Sequence, residues 1–146
     1  MSAVRIARSR VPSNAADCIV AAMDFEVRAI DHVQLAMPAG REAEAEAFYR
    51  DLLGFTVLPK PPKLAARGGR WFARADVQLH LGVEADFRPA RKAHPALVIA
   101  GFDALLGRLE KSGIAVRPDD ERPGVRRAYV DDPFGNRIEL VDGGGV

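Results

Sequence analysis

The chain from Asp31 to Pro38 reads DHVQLAMP, with Val33, Leu35 and Met37 on one side and His32, Gln34 and Ala36 on the other. That period of two predicts a half-buried strand. The next stretch, AGREAEAEAFYRDLLGF, changes period: Ala43, Ala47, Phe48, Leu52 and Leu53 recur on one side of a predicted helix that Gly54 stops. TVLP, GRWFARA and VQLHLGVE then predict three strands, giving the order β-α-β-β-β.

The same order returns. HPALVIAG alternates, FDALLGRLEKSG is an amphipathic helix closed by Gly113, and IAVRP, VRRAYVDD and NRIELVD predict three more strands. Superposing the two halves places His32 on His94 and His80 on Glu139. In NRIELVD, Ile138 and Leu140 oppose Glu139, and in VQLHLGVE, Leu79, Leu81 and Val83 oppose His80. Each sheet therefore has an apolar face for its helix and a polar face. If the polar faces line one concave surface, His32, His80, His94 and Glu139 can converge there, and three imidazoles with one carboxylate suit a divalent transition metal. A lone strand histidine is usually just a hydrogen-bonded residue. Here all three histidines of the chain fall on equivalent positions, which favours the metal reading.

Composition narrows the alternatives. At 146 residues the chain has the length of one domain with a real core. Lys and Arg number 21 against 20 acidic residues and are scattered, which argues against a nucleic-acid partner. The single cysteine, Cys18, has no internal partner, and no apolar run is long enough to span a membrane. A soluble, cytoplasmic protein is expected. The Arg-bearing first residues show a weak likeness to a transit peptide; the plainer expectation is a disordered N-terminal extension, residues 1–25, ahead of a single domain, residues 26–146.

The paired modules, DHVQLAM opening the first and HPALVIAG the second, FYRDLLGF ending the first helix, and VDDPFGNRIEL closing the second module, together resemble the vicinal oxygen chelate superfamily of glyoxalases, bleomycin resistance proteins and extradiol dioxygenases. The resemblance implies an α+β fold: two paired βαβββ modules, residues 27–87 and 92–142, forming a curved, half-open mixed β-barrel with helices outside. It implies a divalent metal ion, Zn, Ni, Co, Mn or Fe, on His32, His80, His94 and Glu139. His80 stands where glyoxalase I usually has glutamate, so it is read either as a fourth ligand or as a base.

The expected function is a metal-dependent glyoxalase-like lyase or isomerase acting on a small molecule with vicinal oxygens through an enediolate-type intermediate. An Fe(II) extradiol-type dioxygenase is the enzymic alternative, and a metal-free drug- or metabolite-binding protein is the third. Glu139 doubles as a possible proton shuttle, and Tyr129 is the candidate acid or hydrogen-bond donor, with a half-buried strand tyrosine as the plain alternative. Trp71 or Phe72 should line an apolar pocket, Trp71 being the one assigned to substrate. Arg91, beside Arg88 and Lys92, is the candidate anchor for a charged group. The family also implies a homodimer with sites at or near the subunit interface, a small-molecule substrate, and no nucleic-acid or membrane partner.

Overall fold

The structure, a computed structural model, describes residues 24–145, so most of the N-terminal extension lies outside the described residues. The folded unit begins at Asp31, and residues 24–30, which precede it, are exposed.

Strand β1 (Val33–Met37) leads into helix α1 (Glu42–Glu46), which continues as a π-helical stretch, Ala47–Leu52. Then come β2 (Thr56–Leu58), a one-turn helix α2 (Pro62–Ala65), β3 (Arg70–Arg74) and β4 (Val77–Val83). The second half repeats the plan with β5 (Ala96–Ile99), helix α3 (Phe102–Lys111), β6 (Arg117–Asp119), β7 (Arg127–Asp131) and β8 (Arg137–Asp142). Two four-stranded sheets result, ordered β1-β4-β3-β2 and β5-β8-β7-β6. In each, the first strand pairs parallel with the last and the other pairings are antiparallel. The sheets are not closed into a barrel, in keeping with the α+β, half-open architecture expected. No helix among the described residues is long and apolar enough to cross a membrane.

The alternation reads correctly in the strands that matter. Leu79 and Leu81 of β4, and Ile138 and Leu140 of β8, are buried in the core with Phe72, Met37, Leu35 and Val130. His80 and Glu139 therefore point to the opposite faces. The helix face differs from expectation: Ala43 and Ala47 are exposed, while Ala45, Phe48 and Tyr49 are buried. The buried positions Ala45, Phe48 and Tyr49, with half-buried Leu52, keep the i, i+3, i+4, i+7 spacing of a helical stripe, but that stripe is phased on Tyr49, whose hydroxyl reaches inward to Asp132 at 2.9 Å, rather than on Ala43 and Ala47. A π-helical stretch closes the helix, the Leu53 N–H bonding the Phe48 carbonyl five residues back at 3.0 Å.

The predicted turn before β8 forms between Asp132 and Asn136, with Gly135 at φ +88°, a conformation that costs glycine little. It also ties the halves together. The Asn136 amide donates to the Ala36 carbonyl of β1 at 2.8 Å and to Asp132 at 2.9 Å, and its oxygen accepts the Ala90 N–H at 3.0 Å. Tyr49 donates to the same Asp132 carboxylate at 2.9 Å. Burial raises the Asp132 carboxyl above its ordinary value against these hydrogen bonds, and burial beside Asp132 raises the Tyr49 phenol well above 10.0.

Candidate metal centre

Sheet register puts the four candidate ligands in equivalent places. Gln34 of β1 lies opposite His80 of β4, and Ala96 of β5 lies opposite Glu139 of β8. His32 and His94 each stand two residues before those positions, just ahead of the first strand of each half.

In the first half, His32 stacks on His80 with ring centroids 4.0 Å apart, and Trp71, which faces His80 across the β3–β4 ladder, stacks on it at 4.5 Å. Phe72, the neighbouring residue, is fully buried in the core. The Nδ1 atom of His32 lies 2.7 Å from the Asp31 carboxylate. His80 is only 6% exposed and its Nε2 atom is buried without a hydrogen-bond partner. Burial, reinforced by His32, lowers its pKa, against the opposing pull of Asp31. His80 is thus held neutral, with an unpartnered polar atom that ordinarily costs stability.

In the second half, His94 Nδ1 lies 2.7 Å from the Lys92 carbonyl and Nε2 lies 2.9 Å from Glu139 Oε2. A carbonyl only accepts, so Nδ1 donates to Lys92, and Nε2 points at the Glu139 carboxylate. A metal-ligating histidine characteristically has its other ring nitrogen anchored in this way, and His32 shows the same arrangement through Asp31. Glu139 is buried, which by itself would raise its pKa, but hydrogen bonds from His94 and Arg127 prevail and hold the carboxyl below its ordinary value.

The structure therefore brings His32 together with His80 and His94 together with Glu139. Among the described residues no three His, Cys, Asp or Glu side chains form one group able to hold a metal ion. Each chain presents the donor set as two halves, and the orphaned His80 Nε2 and the anchored Nδ1 atoms of His32 and His94 fit each half to a cation.

Tyr129 lies directly across the β7–β8 ladder from Glu139, and its ring meets His94 edge-on at 5.4 Å. Arg127 is a site residue that inspection of the sequence missed: its guanidinium donates to Glu139 Oε1 at 3.2 Å and to Asp119 at 2.7 Å. Its signal was the alternation of VRRAYVDD, which puts Arg127 on the Tyr129 face. Arg91 lies exposed in the bend before His94 and makes no ion pair among the described residues.

The comparisons with known proteins agree with this architecture. The sequence model of the Glyoxalase/Bleomycin resistance protein/Dioxygenase superfamily matches residues 29–140. Among solved structures, a glyoxalase-family protein from Bacillus anthracis is 48% identical, with 82% of this chain and 98% of that one covered and a TM-score of 0.79. TnmS3, an antibiotic binding protein from Streptomyces sp. CB03234, is 30% identical over 80% of this chain and 98% of its own, with a TM-score of 0.59. Lactoylglutathione lyase from Agrobacterium tumefaciens shares the fold at 22% identity and a TM-score of 0.63, covering 82% of this chain and 96% of that one. No curated protein matches the chain. With two like-ordered sheets, a family match across nearly the whole described region and a 48% identical relative from a glyoxalase family, the chain belongs to the glyoxalase/bleomycin resistance protein/dioxygenase superfamily.

Proposed function

We propose that the protein is a metal-dependent enzyme, a glyoxalase-like lyase or isomerase acting on a small molecule with two neighbouring oxygens, and that it works as a homodimer. His32 and His80 of one protomer, with His94 and Glu139 of the partner subunit, would hold one divalent ion. The observation that carries this reading is the pairing itself: two donors on each sheet face, with His80 Nε2 buried and unpartnered. The face bearing Glu139 also carries Val98 of the edge strand β5, a valine that is 74% exposed. A second copy covering that face would bury it.

A divalent ion there would supply Lewis acidity toward the substrate oxygens and leave open positions for them. The chain's own residues do the rest. In the free chain His94 and Arg127 hold Glu139 ionised, and with His94 given over to an ion Arg127 would still do so, which makes Glu139 a ligand first and a base only if Arg127 withdraws. Tyr129, opposite Glu139, is placed to donate its phenolic proton to a negative oxygen on the substrate. Trp71 forms an apolar wall that keeps water from the His80 side. A ring-cleaving dioxygenase ranks behind, because four protein donors leave less room for O₂ and a chelating diol together. A metal-free binding protein is the second reading, favoured by the 30% identity to an antibiotic-binding protein.

Mixing two defective chains tests the shared site. His80→Ala damages the first half and Glu139→Gln the second, so neither homodimer should hold an ion. After subunit exchange, each mixed dimer has one intact site, and an equimolar mixture should recover about one ion per four chains. No recovery after exchange verified by mass spectrometry of the intact dimers would place the sites within single chains.

A further inference from the structure

Beside the His32–His80 pair lies a cavity of about 540 Å³, lined among others by Trp71, Gln34, Leu64, Lys60 and Arg67. We propose that this cavity takes a substrate bearing a carboxylate, and that Lys60 is the residue that binds it; the assignment rests on the active-site reading above and names its substrate class.

Lys60 is half-buried just before α2, its ammonium 5.9 Å from the centre of the Trp71 ring that stacks on His80. An ammonium has three donors, and among the described residues only one is spent, on the Gly68 carbonyl. No carboxylate lies within ion-pair distance of it among the described residues. The Glu42 carboxylate, which attracts it from farther off, already accepts the Gly69 N–H at 2.9 Å. The Asp31 carboxylate that also lines the cavity is engaged with His32. Burial and the charges of Arg70 and, more weakly, Arg67 lower the Lys60 pKa against Glu42, so the cation sits in an environment that an incoming anion would relieve.

The charge supply selects the anion. One half-buried ammonium matches one negative charge. A phosphate dianion would call for a second fixed cation, and Arg67, the other cation lining the cavity, is exposed and makes no ion pair among the described residues. Gly82, opposite Ala36 in the β1–β4 ladder, presents no side chain to this face, and Trp71 supplies an apolar wall. The site thus suits a short carboxylate whose adjacent oxygenated carbon points toward the histidines.

The chain contains one tryptophan, Trp71, so its fluorescence reports on this cavity alone. The test uses the full chain, both as purified and after chelator treatment, titrated at constant ionic strength with lactate, lactamide and inorganic phosphate. Lactate and lactamide share their vicinal oxygens and differ in charge. Lactate is expected to give a saturable change in both preparations, with lactamide at least about tenfold weaker, the usual worth of a charge-assisted hydrogen bond. Lys60→Met should weaken lactate by a similar factor and Lys60→Arg should restore most of it. Equal binding of lactate and lactamide, no saturable response to lactate, or tighter binding of phosphate than of lactate would each overturn the assignment. Because the chelated protein is read separately, loss of the metal reading would leave lactate binding intact, whereas loss of lactate binding with metal uptake preserved would remove only the Lys60 assignment. If Lys60→Met disturbs the Gly68 loop, the lactate and lactamide comparison on the unaltered chain still decides.

Discussion

Glu139→Gln is expected to weaken metal binding by more than about 100-fold, because losing an outer-shell partner alone costs roughly 10- to 100-fold and here a ligand loses its charge. The amide keeps the shape and leaves Arg127 its bond to Asp119, so the fold should persist. Competition against a chromogenic chelator reads the loss directly, and affinity within a few-fold of the parent chain would remove Glu139 from the ligand set. The same variant has a pH signature. A carboxyl whose folded pKa is lowered adds stability that is full above its ordinary value of 4.5 and is lost as pH falls through the lowered value. The stability difference between parent and variant should therefore be constant near neutrality and shrink under acid conditions.

Asn136→Ala is the second large effect, and it acts on stability. The residue is fully buried, and removing its amide strands the Ala36 carbonyl, the Ala90 N–H and one bond to Asp132. With each stranded buried group costing about 1–3 kcal/mol, partly relieved by water, a loss of about 3 kcal/mol is expected. Urea denaturation should show a lower midpoint at unchanged slope. Because Asn136 joins the β7–β8 turn to β1 and to the connector ahead of His94, the same substitution should also weaken metal binding. A loss under about 1 kcal/mol would show that the joint is not the anchor its geometry describes.

Much of this was legible in the residue pattern, and the limits have physical causes. Strict alternation in VQLHLGVE and NRIELVD determined that His80 and Glu139 leave the core, because a strand's side chains have no other choice of face. Superposing the halves found equivalent positions, but equivalence by pseudo-symmetry does not mean proximity, and within one chain the donors stand as two pairs. The choice between Trp71 and Phe72 needed the β3–β4 register, which a single strand's sequence does not carry. The helix face differs at Ala43 and Ala47 because the stripe is phased by Tyr49, whose buried partner Asp132 lies 83 residues away in the sequence. Lys60 was invisible for a different reason: it lies between β2 and α2, where tertiary packing alone decides which cavity a side chain reaches.

Four residues of this chain, contributed as pairs by two protomers, are expected to hold one ion per site. Elemental analysis by mass spectrometry of untagged protein purified anaerobically without chelator, performed on the size-resolved species, tests it most directly. The expected result is a dimer carrying close to one equivalent of Zn, Ni, Co, Mn or Fe per chain, with the ion lost in His80→Ala. Protein that holds no metal and takes none up on titration would contradict it and leave a binding module in its place.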